Sequence, residues 1–156
     1  MQEEKLNSKK YLLDTNFCSK IIRGDASVIK WLIESKDSLF VICPIVSGEL
    51  YYMVSKSTHK EVNLGRLENF LSDIEIYPID KEVSKIYGAI KVALLSYYGP
   101  KNEEKRIKIK LEDIGFTEND IWIASVVKRY KLALISLDRD FERMKNVINL
   151  ELEQLS

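Results

Sequence analysis

Apolar and polar positions follow two rhythms along this chain. Short unbroken apolar runs recur: YLLD from Tyr11, SLFVIC over 38–43, IEIYPI over 74–79, LALIS over 132–136 and VINL over 147–150. Runs of this length without in–out alternation predict strands covered on both faces. Between them the apolar residues return every three or four positions, which predicts helices. SKIIRGDASVIKWLIESK carries Ile21, Ile22, Val28, Ile29, Leu32 and Ile33 at that spacing, broken into two pieces at Gly24 and Asp25. PIVSGELYYMVSKS opens with Pro44, which suits a first helical turn. NLGRLENFLSDI predicts a stripe of Leu64, Leu67, Phe70 and Leu71, and KEVSKIYGAIKVALLSYYG a longer helix capped by Asp80. A further helix is predicted from about Glu118 and a short one from Asp138.

Strands that alternate with helices predict an α/β domain with a mainly parallel central β-sheet flanked by helices. The 156 residues read as a single domain, with 1–10 as an N-terminal tail and no internal repeat. One segment departs from the pattern. GPKNEEKRIKIKLEDIG, 99–115, is dense in charge and opens on Gly-Pro, and is expected to be a partly mobile excursion.

Composition narrows the function. No apolar run approaches the roughly 18 residues that span a membrane, and the N-terminal stretch has no apolar signal core, so a cytoplasmic protein is expected. The 24 basic and 24 acidic residues cancel, so polyanion binding must rely on a local patch or a metal ion. A single histidine, His59, stands in a polar stretch, which excludes a multi-histidine zinc site. Cys18 and Cys43 lie in apolar surroundings without metal spacing and read as buried free thiols. Trp31 and Trp122 read as packing residues, and Tyr51 and Tyr52 as partial core, partner surface or base-stacking rings.

Four acids stand at equivalent places. Asp14 ends the first strand and Asp138 follows the LALIS strand, while Glu49 lies in the first turns of the helix after the second strand and Asp120 in the first turn of its own helix. In a parallel sheet these positions share one rim, where α/β folds bind ligands. Carboxylates brought together repel, and a divalent cation such as Mg2+ or Mn2+ relieves the repulsion and assists phosphodiester hydrolysis. Each acid also has a purely structural reading. Asp14 and Asp138 would cap helices, Glu49 would sit favourably near a helix start, and Asp120 would complete a capping box with Thr117.

LLDTN, IVSGELYYMV, ENDIWIAS and LISLDRDF, in that order from Tyr11 to Asn149, resemble the PIN-domain ribonucleases, and most of all the VapC-like toxins of type II toxin–antitoxin systems. The resemblance implies a PIN-like three-layer fold and a metal-dependent endoribonuclease whose catalytic, metal-holding residues are Asp14, Glu49, Asp120 and Asp138. It implies Asn16 and Ser136 as supporting pocket residues, with Asp140 either supporting or exchanging roles with Asp138. It further implies an RNA substrate and a cognate antitoxin, and apolar helix faces beyond one core's needs favour a homodimer within the toxin–antitoxin complex. The 99–115 segment is longer than the family's usual connection. Its Lys101, Lys105, Arg106, Lys108 and Lys110 read either as an RNA-binding arm or as a solvated charged loop. Two other functions stay open at this point: a non-catalytic PIN-fold subunit that binds nucleic acid or protein, and a phosphatase or receiver-like domain with Asp14 as the phosphorylated group.

Overall fold

The apolar run after Lys9 forms the central strand β1, Lys10–Leu13, in a computed structural model that describes residues 8–155. Of the expected N-terminal tail, residues 1–7 lie outside the described residues, and Lys10 already belongs to β1. On one side β1 pairs with β2, Leu39–Ile42, in the register Lys10–Leu39, Tyr11–Phe40, Leu12–Val41. On the other it pairs with β4, Ala133–Ile135, in the register Tyr11–Ala133, Leu12–Leu134, Leu13–Ile135. Two-residue strands close the edges, β3 (Glu75–Ile76) beyond β2 and β5 (Leu152–Glu153) beyond β4. The sheet is parallel throughout, in the order β3-β2-β1-β4-β5. The chain therefore winds outward from β1 through β2 to β3 and then crosses back to β4. The reversal falls between β1 and β4, where the carboxyl ends of parallel strands leave a crevice.

Helices flank the sheet. Helices α1 (Thr15–Ile22) and α2 (Ala26–Glu34) are separated where expected, by Gly24 at φ +75° and by Asp25, whose carboxylate accepts the amide hydrogens of Ser27 and Val28. Helix α3 (Pro44–Ser55) begins on proline, and α4 (Lys60–Ser72) rests on it. Helix α5 (Lys81–Tyr98) packs along α7 (Glu118–Arg129), and α8 (Asp140–Lys145) follows β4. Leu12, Leu13, Phe17, Ile42, Ile121, Leu134 and Ile135 are sealed in the centre. Each contributes roughly 1.5–3 kcal/mol of hydrophobic stabilisation. Trp31 packs edge-on against Tyr11 and Phe17, and Trp122 stacks on Tyr87 at 4.0 Å, both in packing roles. Cys18 and Cys43 are buried free thiols, and exposed His59 precedes α4.

Three expectations need correction. The apolar run VINL is not a strand. Val147 and Ile148 donate to the Met144 carbonyl and close α8, Leu150 is buried as an anchor, and strand pairing starts only at Leu152. The strand expected over 74–79 keeps ladder pairing at Glu75 and Ile76, with Tyr77 N–H adding one bond to the Ile42 carbonyl. Leu64 is 40% exposed, because α4 meets the core through Leu67 while Phe70 and Leu71 are half-buried.

The 99–115 segment contains a short helix α6 (Glu103–Lys108), capped by the Asn102 side chain, then a 3-10 turn over Leu111–Ile114. Leu111 and Ile114 are buried, while Lys101, Lys105, Lys108 and Lys110 are exposed. Arg106 is half-buried and reaches the Pro100 and Lys101 carbonyls. Among the described residues no helix is long and apolar enough to cross a membrane.

Candidate active site

The crevice between β1 and β4 is lined by side chains that the strands release at their carboxyl ends. Asp14 continues β1 by one residue, its N–H donating to the Ile135 carbonyl at 3.1 Å. Its carboxylate is then engaged at both oxygens. Oδ1 accepts the Thr15 N–H at 2.7 Å, which caps α1, and Oδ2 accepts the Ser136 hydroxyl at 2.6 Å. Buried Ser136, the residue after β4, also accepts the Asp138 N–H at 3.0 Å. Asp138 Oδ1 in turn accepts the Asp140 N–H at 2.9 Å, which sets the start of α8. Asp120 reaches the crevice from the first turn of α7, where the Thr117 hydroxyl accepts its N–H at 3.2 Å.

One oxygen each from Asp120, Asp138 and Asp140 lies within 4.8 Å of the others. Asp14 joins this trio through Ser136. Glu49 joins Asp14 at one remove: its Oε2 accepts the Thr15 hydroxyl, and its Oε1 accepts the Asn119 amide at 2.6 Å. Asp14, Glu49, Asp120 and Asp138 thus stand at one pole, linked through Ser136, Thr15 and the start of α7, and Asp140 stands with them. Asn16 lies exposed in α1 beside Thr15. Asp14 does cap α1, through Oδ1, while its Oδ2 is held by Ser136; Asp138 accepts the Asp140 N–H one residue ahead of the α8 N-cap, Arg139.

The electrostatics are unfavourable in the isolated chain. Burial pushes the Asp14 carboxyl upward, and its bonds from Ser136 and Thr15 oppose that shift, while Glu49 and Asp138 add to it. Asp120 is pushed to about 6, chiefly by burial, with Asp138 and Asp14 adding and the Thr117 hydroxyl opposing. Among the described residues one ion pair touches this pole: Arg143 Nη1 stands 3.5 Å from Asp140 Oδ1. That guanidinium is already engaged. It lies 4.7 Å from the Tyr98 ring centroid and 4.3 Å from that of Phe116, and its Nη2 donates to the Ile114 carbonyl at 2.7 Å. A half-buried cluster of carboxylate oxygens with so little counter-charge is a donor set for a hard divalent cation.

Sequence reasoning missed Thr15 and Asn119, which hold Glu49, and Arg143, which meets Asp140. The first two lie inside the quoted stretches LLDTN and ENDIWIAS, next to acids already singled out. Their contribution is a tertiary pairing that no local rhythm reports.

Residues 11–147 match the family model described as the PIN domain. Ribonuclease VapC2 of Rickettsia felis is 31% identical over 88% of this chain and 94% of that protein. Ribonuclease VapC2 of Haemophilus influenzae is 32% identical over 86% and 92%. Among solved structures, that of VapBC2 from Rickettsia felis bound to a DNA fragment from their promoter superposes with a TM-score of 0.75 at 28% identity, covering 94% of this chain and 99% of its counterpart. The fold, the acidic pole and these likenesses agree, and the chain belongs to the PIN-domain family, among the VapC ribonucleases.

Proposed function

We propose that this protein is a cytoplasmic endoribonuclease, the toxin of a toxin–antitoxin pair, which cleaves RNA with a divalent cation, Mg2+ or Mn2+, held at the acidic pole. The convergence of the Asp120, Asp138 and Asp140 oxygens within 4.8 Å carries the metal part of this reading. The curated relatives carry the ribonuclease part, and the VapBC complexes among the similar structures support an antitoxin partner.

Each residue then has a task. Asp120, Asp138 and Asp140 would hold the cation, and Asp14 and Glu49 would complete the ligand set. The chemistry supplied by a bound cation would be charge compensation at the phosphate and a more acidic water. Ser136 fixes Asp14 and the 136–138 backbone, while Thr15 and Asn119 fix Glu49, so these two carboxylates are held in place by the protein itself. Asp120, with its carboxyl pushed up to about 6, would have to be deprotonated to serve as a ligand. The exposed Lys101, Lys105, Lys108 and Lys110, with Arg106, contact RNA phosphates outside the pole. Neutralising the four lysines weakens RNA binding and flattens its salt dependence.

The test is cleavage of total bacterial RNA by the purified protein, with Mg2+ or Mn2+ against a chelator, beside an Asp120→Asn, Asp138→Asn double variant. The expected result is cutting that needs the ion and disappears in the double variant. Equal cutting in chelator, or by the double variant, overturns the assignment.

A further inference from the structure

A second depression opens beside the acidic pole, on the far side of Glu49. It is an open cleft of about 360 Å³ lined by Pro44, Ile45, Gly48, Glu49, Tyr52 and Asn119. From α3, Ile45, Gly48, Glu49 and Tyr52 are spaced three and four apart, so they form one stripe of the helix surface. Glu49 and Asn119 belong both to this cleft and to the hydrogen-bonded wall of the acidic pole. The cleft is therefore continuous with the place where the scissile phosphate would lie.

Tyr52 is the feature that core packing leaves unexplained. Its neighbour Tyr51 is 39% exposed and donates its hydroxyl to Glu68 at 3.0 Å. Tyr52 is 66% exposed, and its ring carries the Lys56 ammonium 4.8 Å from its centroid. Gly48 adds room on the same stripe, since a side chain there would meet nothing within 4 Å. Asn119 uses its amide nitrogen toward Glu49, which leaves its carbonyl oxygen as an acceptor at the rim. Glu49 makes this side of the pole hostile to a second phosphate. An uncharged planar group that stacks and offers hydrogen-bond donors on its edge suits the cleft better.

We infer that this cleft is a nucleobase subsite, in which a base flanking the scissile phosphate stacks on Tyr52 and presents its edge to Asn119. The inference rests on the ribonuclease reading and deepens it. Stacking of a base on an exposed aromatic ring tolerates all four bases, whereas the Asn119 amide discriminates among their edges. Tyr52 thus sets affinity for the strand and Asn119 biases the cut.

The experiment uses the full chain and an oligoribonucleotide spanning its strongest cut in total bacterial RNA. Cleavage kinetics are measured for the parent, Tyr52→Phe, Tyr52→Leu and Gly48→Leu, on the intact strand and on strands with a single abasic position on either side of the cut. The expected result is a rise in KM of about tenfold for Tyr52→Leu, with Tyr52→Phe close to the parent. One abasic position should cost the parent a similar factor and cost Tyr52→Leu little more, since ring and base are two halves of one contact. Gly48→Leu, a better helix former with open space above it, should melt no lower than the parent yet lose affinity. The subsite alone is overturned if the parent cuts and Tyr52→Leu matches it on every strand, which would make the ring a surface for a protein partner. It is equally overturned if no abasic position couples to Tyr52. A parent that cuts no RNA under any divalent condition overturns the subsite and the ribonuclease reading together.

Discussion

Two helix starts in this molecule use aspartate for the same local purpose and leave it in opposite electrostatic states. Asp80 caps α5, its Oδ1 accepting the Val83 N–H at 2.9 Å, and Arg129 pairs with it at 3.0 Å. Arg129 first, and the Val83 amide next, hold its carboxyl below the usual carboxylate range. Asp14 caps α1 through the adjacent Thr15 amide but lies buried among other acids, and its carboxyl is pushed upward; Asp120, in the first turn of α7, shares that direction. A cap needs only one oxygen and a helix amide. Nothing about capping explains why the carboxylates at one pole are crowded and withdrawn from solvent with, among the described residues, one ion pair, from an arginine already engaged elsewhere. That excess of uncompensated charge is the observation on which the proposed cation site rests, and Asp80 is its internal control.

The sharpest way to break the contrast is to neutralise each side. Asp138→Asn at the acidic pole should lower RNA cleavage at least about 100-fold in a single-turnover assay while circular dichroism stays that of the parent. Ser136→Ala removes the hydroxyl that holds Asp14 and the Asp138 amide, and should cost roughly 10- to 100-fold in cleavage with the carboxylates intact. Gly115→Ala strikes the approach to α7. Gly115 sits at φ +85°, and a Cβ there would lie 2.9 Å from the Arg143 guanidinium. A loss of about 1–3 kcal/mol in denaturant unfolding is expected.

The pH dependence separates the two sides by sign. A carboxyl raised in the folded state favours folding while protonated, and that contribution is lost as pH rises. For Asp120 the loss runs from the ordinary carboxylate range up through about 6, so the metal-free protein should become less stable across that window, and Asp120→Asn should flatten the slope. Asp80 behaves oppositely, its contribution being present above the ordinary carboxylate range and lost as pH falls below it. The smallest expected effect is Asp80→Asn on catalysis: no change in cleavage, measured beside the parent at neutral pH.

The sequence made the central strands and the candidate acids legible for different reasons. β4 and the carboxyl-terminal parts of β1 and β2 are buried, so Tyr11–Leu13, Val41–Ile42 and Ala133–Ile135 are apolar without interruption and stand out. The edge strands β3 and β5 have two residues each, too short for any period, and the apolar run VINL owes its character to Leu150 as an anchor and to the turn that closes α8. Asp14, Glu49, Asp120 and Asp138 could be read from position alone, because parallel strand ends and helix starts share a rim. Which acids bring oxygens together could not. Asp140 enters the trio through the turn that Asp138 makes with it, and Asp14 is drawn toward Ser136, both of them side-chain geometries with no sequence period.

The most direct test is thermal unfolding of the purified protein at neutral pH with and without Mn2+, for the parent, Asp80→Asn and the Asp120→Asn, Asp138→Asn double variant. A cation held by the acidic pole stabilises only chains that keep the pole. Mn2+ should raise the midpoint of the parent and of Asp80→Asn by the same amount and leave the double variant where it was. An equal rise in the double variant, or none in the parent, would contradict a metal-binding role for these carboxylates.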